Sequence, residues 1–387
     1  MLKHNGMVLG IDASNIRAGG GLTHLVELLT VAEPEEHGFS KVVVWGGDET
    51  LRRLPERLWL IKDNLPELNQ GLVRRACWQR FSLSRMAYAA GCSMLYIPGG
   101  SYACNFRPVV TMSQNLLPFE WRELRRYGWT LNTLKFLLLR CIQCHSFRRA
   151  DGVIFLTEYA KRVVLKATGR MFGKTVIIPH GLNPRFKIEP IPTHLGRTYT
   201  EANPCRALYV SIVDQYKHQW HVAEAVNLLR AEGLPLVLDL VGPAYPPALA
   251  RLQKVIERLD PEGRWVHYHG PVAYESLNSI YEHADIGVFA SSCESISIIL
   301  LETMAAGLPV ACSNRGPMPE ILGDAGLYFD PENPADIAGA LKKYIFSPNL
   351  RQAKAQAGFE KAKKYTWREC ADRTFSFLAD VVRGGRS

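Results

Sequence analysis

The sequence predicts an α/β protein made of two doubly wound parallel-sheet domains. Short apolar runs, typical of strands buried on both faces, alternate along the chain with amphipathic stretches of helical period. This alternation occurs in both halves of the chain, on either side of a polar segment rich in proline. Such alternation indicates parallel sheets that are covered by helices on both faces.

Six apolar runs in the first half are predicted strands, with helices expected between most of them. The stretches Leu22–Val31 and Val73–Ala90 have the apolar spacing of helices that cover a sheet. The predicted strands are Val8–Asp12, Lys41–Trp45, Ser93–Pro98, Val109–Ser113, Gly152–Leu156 and Thr175–Pro179.

The second half repeats this plan. Helices are expected over residues 217–231, 247–259 and 274–283, and the stretch from Leu350 to Val382 has helical character throughout. The predicted strands are Ala207–Ser211, Pro235–Val241, Trp265–His269, Asp285–Ala290, Leu308–Cys312 and Gly326–Phe329.

Prolines mark the boundary between the halves, because they resist both helix and sheet. Four of them lie in residues 184–205, which we predict to be a linker. The first domain is then expected over residues 1–183 and the second over residues 206–365.

Composition favours a globular protein of the cytoplasm. Of the 387 residues, 47% are hydrophobic and 21% are charged, and no apolar run reaches the roughly 18 residues of a membrane span. The apolar run at Met7–Ile11 is too short for a signal peptide and is followed by Asp12. The nine cysteines form no disulfide framework, and Cys141-Ile-Gln-Cys144-His145, which has haem-attachment spacing, lies in a predicted helix without exported context. We interpret these cysteines as ordinary thiols.

Charge is distributed unevenly along the chain. Residues 51–200 contain 24 Lys plus Arg against 8 Asp plus Glu, whereas residues 201–387 contain 19 against 22. A basic half suits anionic lipid or phosphorylated substrates. No signature of a nucleic-acid-binding module accompanies it, so we expect no nucleic-acid partner.

Two glutamates flank an apolar run between two predicted strands of the second half. Glu294 and Glu302 are eight positions apart, which is about 12 Å along a helix. Ser297, Ile298 and Ile299 would form the first turn of that helix, where unpaired N–H groups favour a phosphate. The spacing offers an acid at each end and an anion site between them. The alternative is a plain amphipathic helix with a charge at each end.

Residues 285–330 resemble the donor-site block of family 4 retaining glycosyltransferases. After a strand and a Ser-Ser-Cys loop come Glu294, a short helix, Met304-Ala-Ala-Gly-Leu-Pro-Val310, a strand and Asn314-Arg-Gly-Pro-Met-Pro-Glu320. The resemblance is specific here and fainter over nearly the entire chain. It implies the GT-B fold, in which two Rossmann-like domains face a central cleft, and places the last helix, residues 366–383, on the first domain.

The resemblance also implies roles for residues of the second domain. Glu294 would bind hydroxyls of the transferred sugar, and Glu302 would bind the ribose. Lys217 and the N–H groups of residues 297–299 would stabilise the departing diphosphate. Ile212 occupies the place of an arginine usual in the family, a charge that His218 or Arg315 could replace. Val272 would meet the nucleotide base through backbone atoms.

Three residues of the first domain are predicted site residues by the same resemblance. Gly20 and Gly21 belong to a glycine triplet that opens the helix near Leu22, and they would face the donor phosphates and the acceptor. Gln114 stands where the family commonly has a histidine. Glutamine can hydrogen-bond a sugar hydroxyl but cannot act as a base near neutral pH. His180, in the segment that leads to the linker, is interpreted as structural.

The most basic helical region is residues 119–149, where arginines and lysines are interleaved with aromatic and leucine residues. One interpretation is a solvated helix over the core. The other is a surface that contacts anionic membrane lipid or a lipid diphosphate acceptor.

These observations predict a metal-independent hexosyltransferase that uses no cofactor, since no acidic pair of the Asp-X-Asp type lies near a strand end. Its donor would be a GDP- or UDP-linked sugar, with mannose the first candidate. Its acceptor would be a glycan or a lipid-diphosphate-linked glycan in surface polysaccharide or lipopolysaccharide synthesis, and the enzyme would be cytoplasmic or peripheral on the inner membrane face.

Three alternatives stay open. A nucleotide-sugar epimerase shares this architecture and needs no acceptor. A non-catalytic protein that binds lipid or polysaccharide would keep the basic surface but need neither Glu294 nor Lys217. The third alternative, a dinucleotide-dependent oxidoreductase, is supported only by Gly19–Gly21, which lacks the Gly-X-Gly-X-X-Gly spacing of dinucleotide-binding domains.

Overall fold

The computed structural model describes residues 6–190 and 197–384, and the chain divides into two units. The first comprises the described parts of Met1–Leu124, Trp129–Gly181 and Trp367–Ser387. The second comprises Arg125–Gly128 and the described parts of Leu182–Thr366. Part of the predicted linker, residues 191–196, lies outside the described residues.

The first unit is a parallel sheet flanked by helices. Its strands are β1 (Met7–Asp12), β2 (Phe39–Gly46), β3 (Leu60–Asn64), β4 (Met94–Ile97), β5 (Val109–Ser113), β6 (Gly152–Phe155) and β7 (Lys174–Ile177). Its α-helices are Gly19–Val31, Asp48–Leu51, Leu72–Phe81, Leu83–Ala89, Trp121–Leu124, Leu131–Arg149, Glu158–Thr168 and Trp367–Gly384.

The second unit has the same plan. Its strands are β8 (Cys205–Val210), β9 (Leu236–Val241), β10 (Val266–Tyr268), β11 (Ile286–Phe289), β12 (Val310–Ser313) and β13 (Gly326–Phe329). Its α-helices are Gln219–Ala231, Pro246–Leu259, Leu277–Glu282, Ile298–Ala305, Met318–Leu322, Pro334–Phe346 and Pro348–Ala362.

Both sheets are doubly wound. The strand order is β3-β2-β1-β4-β5-β6-β7 in the first and β10-β9-β8-β11-β12-β13 in the second, with every described pair parallel. The order reverses between β1 and β4 and again between β8 and β11. In open α/β sheets, ligands bind outside the carboxyl ends of the strands at such a switch point. The prediction of two doubly wound parallel-sheet domains is confirmed.

Each predicted strand overlaps an observed one, and one strand was not predicted. β3 is an edge strand of sequence Leu60-Ile-Lys-Asp-Asn64, which pairs with β2 alone. Because one side of an edge strand faces solvent, it needs no continuous apolar run, and the polar half of β3 concealed it.

Two helical predictions require correction. The stretch Val73–Ala90 is divided at Ser82 into the helices Leu72–Phe81 and Leu83–Ala89. The C-terminal stretch is not helical throughout: its helices are separated near Thr366, where the backbone bridges to Leu182. Apolar spacing continues across both breaks, so it could not reveal them.

No α-helix among the described residues has the length and apolarity needed to cross a membrane.

Candidate functional site

The switch point of the second unit brings together the two residues predicted to carry most of the chemistry. Lys217 follows β8 and Glu294 follows β11, the two strands between which the sheet order reverses. The ammonium of Lys217 and Oε1 of Glu294 form an ion pair in direct contact. The lysine side chain is 5% exposed and the glutamate side chain 15%, so water screens the pair poorly.

The surroundings of Lys217 fix its position. Its backbone carbonyl accepts a hydrogen bond of 2.9 Å from the buried Tyr209 hydroxyl. Its ammonium lies 5.1 Å from the ring centroid of Tyr216 and 5.4 Å from that of Phe289. Aromatic faces attract a cation at these distances. The charge is therefore held in place by packing as well as by the carboxylate of Glu294.

His218 cannot replace the charge missing at Ile212. It is fully buried, and burial lowers the pKa of its imidazole to about 2, so the ring is neutral. Its Nε2 lies 2.9 Å from the Ser292 hydroxyl, and its φ of 55° is a left-handed conformation rare for non-glycine residues. Arg315, the other candidate, is bound to Asp330 at 2.8 Å. Of the two candidates for the charge missing at Ile212, His218 is therefore neutral, whereas Arg315 is a cation paired with Asp330.

The helix expected between the two glutamates is shorter than predicted. Residues 294–297 are not helical, and the helix extends over Ile298–Ala305 with Ser297 as its N-cap. The Ser297 hydroxyl accepts a hydrogen bond of 3.2 Å from the N–H of Leu300. This side-chain hydrogen bond competes with continuation of the α-helix toward Glu294.

The start of this helix nevertheless presents free donors. The N–H groups of Ile298 and Ile299 have no hydrogen-bond partner among the described residues. Gly287 of β11 lets the helix approach closely, because a Cβ there would collide with Thr303. The prediction of an anion-favouring helix start thus rests on residues 298 and 299, whereas Ser297 acts as the cap.

Glu302 is nearly inaccessible. It is 3% exposed, accepts a hydrogen bond of 3.2 Å from the Tyr274 hydroxyl, and burial raises the pKa of its carboxyl to about 7. The Arg185 guanidinium stacks 3.5 Å from the ring centroid of Tyr274. Neither Tyr274 nor Arg185 could be identified from the sequence, since nothing in the pattern links either residue to Glu302.

Val272 lies in the loop after β10 and lines a cavity of about 230 Å³. The same cavity is lined by Asp239 and His269. Its predicted contact with a nucleotide base stays a prediction.

The first unit brings its own predicted residues together at its switch point. A Cβ at Gly21 would lie 3.5 Å from Oε1 of Gln114, and Nε2 of Gln114 donates to the Pro98 carbonyl at 3.1 Å. Gly21, Pro98 and Gln114 follow β1, β4 and β5. The helix begins at Gly19 rather than near Leu22, so Gly20 and Gly21 belong to its first turn and not to a preceding loop.

His180 lies in a buried cluster of the first unit. Its ring is 4.5 Å from that of His24 and 5.6 Å from that of Trp367, and burial holds the pKa of both imidazoles well below the usual range. Both rings are therefore neutral parts of the core near neutral pH.

The basic segment 119–149 contains an exposed apolar stripe. On the helix Leu131–Arg149, Leu131, Leu134, Leu138 and Ile142 are all exposed, and Leu138 has 60% of its surface accessible. Spacings of three and four residues place them on one helix face. Trp129, just before the helix, is fully exposed. A solvated polar face does not require such a stripe.

Comparison with known proteins agrees with this architecture. Over nearly its whole length the chain has the fold of sucrose-phosphate synthase from Thermosynechococcus elongatus, with a TM-score of 0.74, 16% identity, and coverage of 98% of this chain and 100% of that chain. The Anabaena protein HepE, solved in complex with UDP, gives a TM-score of 0.69 at 17% identity, covering 97% of this chain and 100% of that chain. The chain has the GT-B fold, formed by two Rossmann-like domains.

Residues 204–345 match the family described as glycosyl transferases group 1, so the second unit carries a domain of that family. The predicted resemblance is thereby confirmed. The O-antigen chain mannosyltransferase B of Escherichia coli is 31% identical over 173 residues, which is 44% of each protein. The D-inositol 3-phosphate glycosyltransferase of Corynebacterium jeikeium is 34% identical over 139 residues, 35% of this chain and 33% of that protein. These matches span less than half the length of either relative.

Proposed function

We propose that this protein is a retaining glycosyltransferase that moves a hexose from a nucleotide diphosphate sugar to a glycan or a lipid-linked acceptor. The observation that carries the proposal is the Lys217–Glu294 pair at the switch point of the second unit. A buried ion pair contributes little net stability, because desolvating two charges offsets their attraction. Its position at the ligand-binding edge of the sheet therefore supports a functional role.

The proposed chemistry places positive charge and N–H donors where the reaction creates negative charge. A departing nucleoside diphosphate gains negative charge, which Lys217 and the unpaired N–H groups of Ile298 and Ile299 would stabilise. Glu294, next to the ammonium, would accept hydrogen bonds from the sugar hydroxyls. We propose that this transfer needs neither a catalytic metal nor a cofactor, since the lysine supplies a fixed cation. Turnover in EDTA equal to that with added Mg²⁺ or Mn²⁺ is the expected result.

Relatives support two donor classes. The similarity to an O-antigen chain mannosyltransferase favours a mannosyl donor, for which we propose GDP-mannose. The fold similarity to HepE, solved with UDP and with UDP-glucose, supports a uridine nucleotide as the alternative base. We propose surface polysaccharide synthesis as the pathway, on the basis of the first relative.

A thermal-shift panel tests the proposal and separates these donors. The panel contains GDP-mannose, UDP-glucose, UDP-N-acetylglucosamine, GDP and UDP, without added metal. A ligand that binds only the folded state raises the midpoint of unfolding, so one base should stabilise the protein clearly. If none shifts the midpoint of folded protein, the donor site is refuted. Conversion of a donor without acceptor would indicate the epimerase instead.

We also propose that the segment 119–149 contacts anionic membrane lipid, where a lipid-linked acceptor would be found. The exposed stripe of Leu131, Leu134, Leu138 and Ile142 supplies apolar surface, and the basic residues of the segment supply attraction to anionic headgroups.

Co-sedimentation with vesicles of mixed anionic and neutral lipid tests this contact. We expect binding at low salt that weakens as salt is added and is lost in a Leu134→Glu/Leu138→Glu variant. Leu228→Glu, at an exposed leucine of a second-unit helix, is the matched control and should bind as the original protein does. Failure of the original protein to sediment at low salt would refute the proposal.

A further inference from the structure

A cluster of two histidines and an aspartate lies at the β9–β10 edge of the second sheet. Asp239 of β9 is directly opposite His267 of β10 in the parallel register. His269 follows the end of β10, and its imidazole contacts the same carboxylate. One ligand atom from each of the three side chains lies within 4.8 Å of the others. Strand register, and not a flexible loop, therefore sets the spacing of Asp239 and His267.

The distances suit a bound cation. Oδ1 of Asp239 is 2.8 Å from Nε2 of His269 and 3.4 Å from Nδ1 of His267. Ligand atoms at the corners of a tetrahedral zinc site, with bonds of about 2.0 to 2.2 Å, are about 3.3 Å apart. Oδ1 of Asp239 is thus near that spacing from both imidazoles, and an ion bound to all three atoms would replace the hydrogen bond between Asp239 and His269.

The second oxygen of the carboxylate is held separately. Oδ2 of Asp239 accepts from Nη2 of Arg206 at 2.7 Å, so the guanidinium fixes the orientation of the carboxylate while Oδ1 faces the imidazoles. Such outer partners are a common feature of metal ligands, because they orient the ligand before the ion binds. The Asp239 side chain is largely buried, whereas both histidines are partly exposed, which leaves a route for an ion from solvent.

Open space adjoins the cluster. The cavity of about 230 Å³ lined by Arg206, Asp239 and His269 could hold a water molecule as a fourth ligand. The other groups of metal-ligating residues among the described residues lack this combination. His24, His180 and Cys370 are all buried without a route from solvent, and the group that includes Glu36 and His37 is largely exposed.

We propose that Asp239, His267 and His269 form a binding site for a divalent transition-metal ion, with zinc the best match. Two imidazoles and one carboxylate are a ligand set that zinc uses when one position stays open to water. The ligands belong to β9 and to β10 and its end, whereas Lys217 and Glu294 follow β8 and β11. Val272 lines the adjoining cavity, but metal binding can be measured without the transfer reaction, so the proposal does not depend on that reaction.

Metal binding to tag-free protein stripped with EDTA tests the site. Calorimetric titration with Zn²⁺ should show one equivalent more for the original protein than for a His267→Ala/His269→Ala variant. Each single alanine variant should bind at least about tenfold more weakly, since one of three ligands is lost. His283→Ala is the matched control, because His283 lines the same cavity but lies outside the cluster, and it should retain the binding.

Spectroscopy and stability provide independent readouts. Co²⁺ should give the intense visible bands of a four-coordinate ion with the original protein and with His283→Ala, but not with the double variant. Zn²⁺ should raise the unfolding midpoint of the same two proteins and leave that of the double variant unchanged. Equal Zn²⁺ stoichiometry in the original protein and the double variant, or loss of binding in His283→Ala, would overturn the proposal.

Discussion

The two units share a doubly wound sheet topology but differ in the side chains at the switch point. In both, a doubly wound parallel sheet reverses its strand order and brings loops from neighbouring strands together. The first unit places the uncharged Gly21 and Gln114 there, and the buried Asp12 ends β1 at the same edge. The second places a buried ion pair there, Lys217 with Glu294.

This difference shows how two domains of the same fold can bind chemically different groups. Backbone topology provides a binding edge in either unit, and the second supplies a buried cation there, Lys217, for a diphosphate. Gln114 suits a neutral partner such as a sugar hydroxyl, which glutamine can recognise by hydrogen bonds. We therefore expect large effects from changes in the second unit and small ones from changes in the first.

The largest effect is expected from Glu294→Gln. The change keeps the shape of the side chain but removes the charge that pairs with Lys217, and turnover should fall by about two to three orders of magnitude. Release of nucleoside diphosphate, from the donor that the thermal-shift panel identifies, is the measurement. Glu257→Gln, at an exposed glutamate of the same unit, should leave turnover unchanged. Near-normal turnover of folded Glu294→Gln would contradict the expectation that the second unit carries the charge needed for the reaction.

Lys217→Met should reduce turnover about 100-fold and leave Glu294 as a buried charge without its partner. A double-mutant cycle with Glu294→Gln sharpens the test. If the two residues act as one unit, the double variant should be little worse than the poorer single variant. Fully additive losses would show that they act separately.

If Glu302 binds the ribose, as the family resemblance implies, Glu302→Gln should raise the donor KM more than it lowers kcat. It should also change the pH dependence of stability. Burial raises the carboxyl pKa from 4.5 to about 7, so the folded state keeps a proton that the unfolded state has lost between these pH values. Stability contributed by this group is therefore lost as pH rises from 4.5 to 7, by on the order of 3 kcal/mol.

The amide that replaces this carboxyl in Glu302→Gln cannot titrate, so the variant should gain stability relative to the original protein over the same pH interval. Unfolding midpoints measured for both proteins from about pH 4.5 to 7.5 check this, since that interval covers the titration in both states. A difference between the midpoints that does not vary with pH would contradict the raised pKa.

The smallest effect is expected from Gln114→Ala in the first unit. Loss of a neutral hydrogen bond costs about 1 kcal/mol, which corresponds to about a fivefold fall in turnover. Steady-state kinetics with the same donor measure it. A loss as large as that of Glu294→Gln would mean that the first unit also contributes essential chemistry. The proposed difference between the two units would then be wrong.

Much of this architecture could be predicted from the sequence, because strands buried on both faces leave uninterrupted apolar runs. β8 and β11 are examples, and the acid after β11 was recognised from its neighbours. The family resemblance identified Lys217 and Glu294, but their direct contact follows only from strand order, which periodicity does not encode.

Other features were hidden for physical reasons. The polar edge strand β3 lacks an apolar run. The cap at Ser297 starts the next helix later than predicted, although the apolar spacing continues on both sides of Ser297. The Tyr274 hydroxyl reaches Glu302 across 28 positions, and β10 meets β9 to assemble Asp239 with His267. Such contacts depend on tertiary packing and leave no local signal.

Calorimetric titration of the free nucleoside diphosphates, GDP and UDP, into the original protein and Lys217→Met tests the central claim most directly. We expect one of the two to bind the original protein without added metal, and to bind Lys217→Met at least about tenfold more weakly, because a diphosphate loses its buried cation. Circular dichroism confirms that both proteins are folded. Equal affinity for the two proteins, or no binding by either nucleotide, would contradict a diphosphate site at the switch point of the second unit.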